Sequence, residues 1–282
     1  MNHGSSLSKP DENSALTPGS FPLTSSPTLI SFAKLPSMGP AFARVLFGKK
    51  PYIAPSDVVI EPVRLEARRV MLSGAHLQRY RDVCKVRCGA QLPPTYLHVV
   101  AMPMHIQLFI APQFPVKVLG LIHLRNTIRV LGEVNVKAPL GLSVTFDSMR
   151  LTDAGQEYDF VTRYEQDGQI VWEEVSTMLA RVATHKEGGK RPGIERSTHP
   201  ETGVATETLE VAENTGWRYA RVSGDFNPIH LTARTAKLFG FKQAVAHGMW
   251  SLGRCLAAAA PHLPDGKVQI DTQFKLPVYI PS

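Results

Sequence analysis

Residues 97–110 read LHVVAMPMHIQLFI and decide the fold, because their apolar side chains would surround a helix on every side. A helix of this kind has to be buried, and Pro103 predicts a kink or a late start. Residues 247–260 read HGMWSLGRCLAAAA and repeat the plan 150 positions later. The sequence therefore predicts two central helices in a duplicated fold, each covered by other elements.

Segments with strand character follow the first helix. They are Val116–Leu121, Thr127–Val134, Ser143–Ser148, Tyr158–Tyr164 and the alternating run QIVWEEVSTMLARV that starts at Gln169. Asp167-Gly168 supplies hairpin-turn chemistry before the last of them. We expect about five antiparallel strands around the first helix, and the strand-like run KVQIDTQFKLPVYI after the second.

Two compositional breaks divide the chain. Residues 1–55 are rich in Ser and Pro, which predicts a largely disordered segment, except that Ala41–Phe47 is expected to form a short amphipathic helix docked on the body. Residues 185–203 contain four Gly and two Pro and are predicted to be a linker. A first module at 56–184 and a second at 204–282 remain.

The second module is short, with 22 residues after its helix against about 70 in the first. Because an antiparallel sheet needs several strands, we expect this module to be incomplete. Either the chain is a truncation, or another chain in a homodimer or heteromer supplies the missing strands. Residues 1–282 alone are expected to be poorly stable or inactive.

Composition excludes several classes of protein. With 43% hydrophobic and 20% charged residues, the chain is neither collagenous nor a disulfide scaffold nor wholly disordered. Its longest apolar stretch falls short of the roughly 20 residues of a membrane span. Three cysteines, Cys84, Cys88 and Cys255, fit a reducing compartment and lack the partners of a metal site. We expect a cytoplasmic protein without a metal ion.

The net charge of +7 is spread over single residues and pairs that do not alternate with aromatics, so nucleic acid is not the expected partner. The charge is consistent with steering an anionic small molecule or with ordinary solvated surface.

Residues 219–236, YARVSGDFNPIHLTARTA, form the densest polar cluster. Asp225 and His230 lie five positions apart across an Asn-Pro turn, a spacing that can aim both side chains at one water and deprotonate it. The same spacing fits a loop capped by its own Asp and Asn. Gly248, at the start of the second helix, either leaves N–H groups free to polarise a carbonyl or permits close packing. His247 is expected to be structural.

The loop 219–236 resembles the signature of the MaoC-like dehydratases, also known as type 2 or R-specific enoyl-CoA hydratases. The matching residues are Ser223, Gly224, Asp225, Asn227, Pro228, Ile229, His230 and Ala236. FGFKQAVAHGMWSLGRCLAA at 239–258 is similar to the helix of the family, whereas 92–109 and 120–131 resemble the first module of its two-module members. The resemblance covers most of Arg44–Ser282.

This resemblance implies an α+β double hotdog fold, in which two helices are each wrapped by an antiparallel sheet. The first module, which has no Asp-Asn-Pro-His loop at 80–96, would enclose the acyl chain. In the second, Asp225 and His230 would act as the acid/base pair on one water. Asn227 would hold their geometry, and the Gly248 N–H would polarise the thioester carbonyl.

The implied activity is that of a lyase of fatty acid metabolism, which hydrates trans-2-enoyl-CoA to (3R)-3-hydroxyacyl-CoA or catalyses the reverse reaction. It would use no cofactor beyond the thioester carrier. Two alternatives are a 3-hydroxyacyl dehydratase subunit that takes an acyl carrier protein, and a non-catalytic acyl-thioester-binding subunit. The joint presence of Asp225, Asn227 and His230 argues against the binder.

Overall fold

A computed structural model describes residues 20–21, 27–48, 62–87, 91–112, 114, 116–180 and 208–282. The helices are α1 (Met38–Phe47), α2 (Gly74–Cys84), α3 (Tyr96–Ile110), α4 (Thr215–Ser223), α5 (Ala233–Lys237) and α6 (Gly248–Ala259). The strands are β1 (Ser20–Phe21), β2 (Thr28–Phe32), β3 (Val63–Val70), β4 (Leu121–Val130), β5 (Leu140–Thr152), β6 (Gly155–Gln166), β7 (Gln169–Ala180), β8 (Ala244–Val245), β9 (Val268–Gln273) and β10 (Tyr279–Ile280). Short 3-10 helices occupy Pro228–His230 and Ala260–His262.

One large sheet has the strand order β2-β3-β5-β6-β7-β4-β9. Every pair from β3 to β9 is antiparallel, whereas β2 runs parallel to β3 at the edge. The predicted turn at Asp167-Gly168 is confirmed, because both residues have positive φ angles, 52° and 75°, between β6 and β7.

The predicted strand at 116–121 is wrong. Residues 116–120 form bends and turns before β4, which begins at Leu121; the Leu121 N–H donates to the Val118 carbonyl at 3.0 Å, and Gly120 has a φ of 105°. The predicted strand at 127–134 is the second half of β4, which ends at Val130. Four of the described strands lie between α3 and residue 180, and β3, which precedes the helix and was not predicted, is the fifth strand of the first module.

Helix α3 is the buried centre of the first module, as predicted. Its side chains are buried on almost every side, and Pro103 lies inside it without breaking it. The sheet wraps around it, since the Tyr164 hydroxyl donates to the Leu97 carbonyl at 3.0 Å. The Trp172 indole N–H donates to the Pro94 carbonyl, just before the helix, at 2.8 Å.

Helix α6 is the second central helix, and β9 continues the large sheet beside β4. Trp250 on α6 donates its indole N–H to the Val83 carbonyl of α2 at 3.0 Å, which fixes the helix against the first module. Two central helices on one continuous antiparallel sheet make this an α+β double hotdog fold.

Residues 27–48 form β2 and α1, although the sequence predicts a largely disordered segment there. The predicted docking of a helix at 41–47 is confirmed: Ala41 is buried, and the Phe42 ring packs edge-on against Phe226 with centroids 6.2 Å apart.

Cys84 is also buried. Cys88 and the predicted linker at 185–203 lie outside the described residues. None of the described helices is long and apolar enough to cross a membrane.

Candidate active site

The loop between α4 and α5 carries the polar motif. Gly224 ends α4 with a φ of 76°, a left-handed conformation that glycine adopts without strain. Asp225 follows, and its Oδ1 accepts the N–H of Asn227 at 3.0 Å. The Asn227 side chain in turn accepts the N–H of Ile229 at 3.3 Å and begins the 3-10 helix at Pro228–His230. These short-range bonds fold the motif back on itself.

The turn brings the side chains of Asp225 and His230 together. Asp225 Oδ2 lies 4.0 Å from His230 Nε2. His230 Nδ1 donates to the Val245 carbonyl at 2.6 Å, so in the neutral ring Nε2 carries a lone pair. A separation of 4.0 Å is too long for a direct hydrogen bond but suits two acceptors that share one water.

His247, immediately before α6, contacts both Asp225 and His230. Its Nε2 donates to the main-chain carbonyl of Asp225 at 2.9 Å and lies 3.8 Å from Oδ2. Its ring stacks on His230 with centroids 3.8 Å apart and contacts Tyr219 on another side at 4.9 Å. The predicted structural role of His247 therefore operates inside the site, where the ring fixes the positions of both acceptors.

The surroundings set the protonation of these groups. Burial raises the pKa of Asp225, but His247, His230 and the Asn227 N–H outweigh it and hold that pKa below its ordinary value. Burial lowers the pKa of His230 against the pull of Asp225. Burial and then His230 lower the pKa of His247 to about 3. At neutral pH the site holds a carboxylate between two neutral imidazoles.

Gly248 begins α6 beside the pair. The N–H groups of a first helical turn have no acceptor within the helix, and the helix dipole adds positive potential there. Gly248, Asp225 and His230 line one cavity of about 550 Å³. A side chain at 248 would also be crowded, because a Cβ would lie 3.1 Å from the Phe274 ring. Both sequence-based explanations of this glycine are therefore compatible with the structure.

Asp225, His230 and His247 are also the described residues that come nearest to a metal-ligand set. One ligand atom from each lies within 4.8 Å of the others. A metal could use this set only if His247 Nε2 gave up the hydrogen that it donates to the Asp225 carbonyl.

The structure places Asp225, Asn227, His230 and Gly248 around the same cavity, as the sequence predicts. The sequence analysis missed the opposite wall, where α3 and β4 contribute His98, His105 and His123. A signal was available, because His98 and His105 are polar residues seven positions apart in a predominantly apolar helix.

Comparisons with known proteins agree with this geometry. The family model described as MaoC like domain matches residues 195–282. The chain is 31% identical over 208 residues to 3-hydroxyacyl-thioester dehydratase X of Mycobacterium tuberculosis, covering 74% of this chain and 73% of that protein. The crystal structure of HtdX from the same organism superposes with a TM-score of 0.66 at 27% identity, covering 78% and 85% of the two chains. A MaoC-like dehydratase from Phytophthora capsici shares the fold, with a TM-score of 0.62 at 18% identity over 80% of this chain and 85% of its own.

Proposed function

Because the chain belongs to the family of MaoC-like dehydratases, we propose that it hydrates trans-2-enoyl thioesters to (3R)-3-hydroxyacyl thioesters and catalyses the reverse dehydration. The family makes it a hydro-lyase related to fatty acid metabolism. Coenzyme A is the proposed thioester carrier. The proposed chemistry needs a water, a proton acceptor and a donor to the thioester oxygen.

One observation carries the proposal: Asp225 Oδ2 and His230 Nε2 are two acceptors 4.0 Å apart on the wall of a cavity. A water between them donates one hydrogen to each, which leaves its oxygen lone pair free to attack C3. As the C3–O bond forms, one proton passes to an acceptor. The same acceptor returns this proton to C2, so the water is fully consumed and the protein is restored.

Negative charge develops on the thioester oxygen during this addition. The N–H of Gly248 at the start of α6 is the proposed donor to that oxygen, and a preformed donor of this kind contributes about 3 kcal/mol to transition-state stability. Asn227 takes no part in proton transfer. Its N–H holds Asp225 Oδ1, which leaves Oδ2 to face His230.

The test is the loss of ultraviolet enoyl-thioester absorbance with crotonyl-CoA. We expect Asp225→Asn and His230→Ala each to lower the rate by about 100-fold or more, because each removes a group that holds and deprotonates the water. Matched controls are Asp153→Asn and His262→Ala, which make the same changes at exposed positions. Near-parent rates in both site variants of an active parent would disprove the assignment.

Product stereochemistry provides a second readout. Because the two acceptors hold the water on one side of the cavity, water attacks one face of the alkene and gives a single enantiomer. The resemblance to the R-specific hydratases makes the 3R alcohol the expected product. A coupled assay with an S-specific 3-hydroxyacyl-CoA dehydrogenase should give no signal, whereas a strong signal would contradict the proposed geometry.

A further inference from the structure

A second polar cluster lies in the first module, on the same cavity. Glu174 on β7 is fully buried and accepts hydrogen bonds from His98 Nδ1 at 2.8 Å and from Asn126 Nδ2 at 2.7 Å. The rings of His105 and His123 lie 5.2 and 6.2 Å from that of His98, centroid to centroid. We call these five residues the histidine cluster.

The three histidines open onto the cavity among apolar neighbours. The apolar neighbours on this wall include Met102, Ile106, Phe109, Phe160 and Met178. Burying a carboxylate and imidazoles costs desolvation free energy, even where they hydrogen-bond one another. A plain acyl chain recovers none of that cost, since it is bound by apolar contact alone. His105 Nε2 also bonds the Thr162 hydroxyl at 2.8 Å, so the cluster is hydrogen-bonded within the protein, and a ligand that carries a polar group would recover part of the desolvation cost where the rings face the cavity.

The cluster lies inside the molecule, next to the proposed reaction site. The His123 ring packs on Phe274 with centroids 4.8 Å apart, and Phe274 lies directly against Gly248. His98 and His105 are buried, at 4% and 6% exposure, so the bulky thioester carrier cannot reach them. The part of a substrate that meets the cluster is therefore the acyl chain.

The charge of the cluster restricts the kind of group it can accept. Burial opposes ionisation of Glu174, but His98, His105 and Asn126 hold its pKa at about 2, so it is a carboxylate. Burial lowers the pKa of His105 to about 3 and that of His123 to about 4, which leaves both rings neutral. A second carboxylate on the acyl chain would meet the charge of Glu174. Neutral imidazoles can instead donate to or accept from an uncharged oxygen.

We propose that the histidine cluster binds a neutral oxygen substituent, a hydroxyl or a ketone, carried by the acyl chain beyond C3. The enzyme then prefers oxygenated acyl thioesters to plain ones of equal length. This inference rests on the proposed function, because it takes the ligand of the cavity to be an acyl thioester.

The test compares kcat/KM for crotonyl-CoA, a longer plain enoyl-CoA, and chains of that length with a hydroxyl or a keto group moved stepwise along them. His123→Phe keeps a ring against Phe274 but removes the nitrogens, and His98→Gln keeps an N–H donor for Glu174. Met102→Leu, on the same wall, is the matched control.

We expect the parent and the control to prefer one oxygenated position by about 10-fold or more, since a site built to bind such a group discriminates against chains that lack it. Both histidine variants should lose this preference, so that kcat/KM for the oxygenated chain falls to about that for the plain chain of equal length.

A parent that favours plain chains, or a preference that survives in both histidine variants, overturns the inference. If the variants lose only thermal stability, the cluster is structural and the inference is wrong. Calorimetric binding of the same thioesters to Asp225→Asn measures the preference without turnover. A parent that unfolds cooperatively but is inactive on crotonyl-CoA would therefore refute the proposed function, while binding still decides on the histidine cluster.

Discussion

Gly216 in α4 packs against the main chain of His230, and Gly216→Ala tests the geometry of the site. A methyl carbon at residue 216 would lie 1.8 Å from the His230 carbonyl oxygen, where a contact of at least 3.0 Å is needed. The main chains must therefore separate by at least 1.2 Å. Because a misplacement of about 1 Å in a catalytic constellation can lower a rate by about 100-fold, we expect kcat/KM for crotonyl-CoA to fall by that factor. This corresponds to about 2.7 kcal/mol of transition-state stabilisation.

The assay follows enoyl-thioester absorbance, with thermal unfolding of each protein measured in parallel. Gly74→Ala is the matched control, since Gly74 begins α2 and nothing lies within 4 Å of an added methyl group. The control should keep the parent rate. A Gly216→Ala protein that unfolds cooperatively and retains most of its activity would refute the argument that His230 has to stay 4.0 Å from Asp225.

Three further predictions follow from the protonation and packing of the cavity. The pKa values of Asp225 and His230 both lie below their ordinary values of 3.8 and 6.5. We therefore expect kcat/KM to stay level as the pH falls to 6.5 and to decline only below it. A decline above pH 6.5 would contradict the assignment of these two residues as the acid/base pair. His105 and His247 stay neutral in the folded protein, each with a pKa of about 3, whereas the unfolded chain takes up these protons near pH 6.5. The free energy of unfolding, measured with urea, should therefore fall below pH 6.5 by up to roughly 1.4 kcal/mol per pH unit for each histidine, and a flat profile would count against buried neutral rings. Gly248→Ala should lower kcat by about 10-fold or more in steady-state assays, because its methyl group would lie 3.1 Å from the Phe274 ring and displace the N-terminus of α6 from the thioester oxygen. An unchanged kcat would show that the Phe274 ring moves aside and that close packing does not explain this glycine.

Local signals carried most of what the sequence could predict. The two central helices follow from runs of apolar residues, and the Asp167-Gly168 turn from residues that tolerate positive φ. The loop from Asp225 to His230 was recognised through its resemblance to the MaoC-like signature, because the spacing alone also fits a loop capped by its own Asp and Asn. Two features depend on the folded sheet and could not be predicted from a local sequence pattern. They are the pairing of β2 with β3 and the hydrogen bond between His98 and Glu174, which lie 76 positions apart.

The pairing of β4 with β9 joins the two halves of the chain in one sheet, and each half supplies part of the cavity wall. Under the proposed function, mutations in the loop after α4 change the groups that move protons. Mutations of cavity-lining residues of α3 and β4, such as Met102 and His123, change the shape and polarity of another part of that wall. Under the proposed function, substitutions at these positions can therefore change which acyl groups are accepted while the reaction itself stays the same.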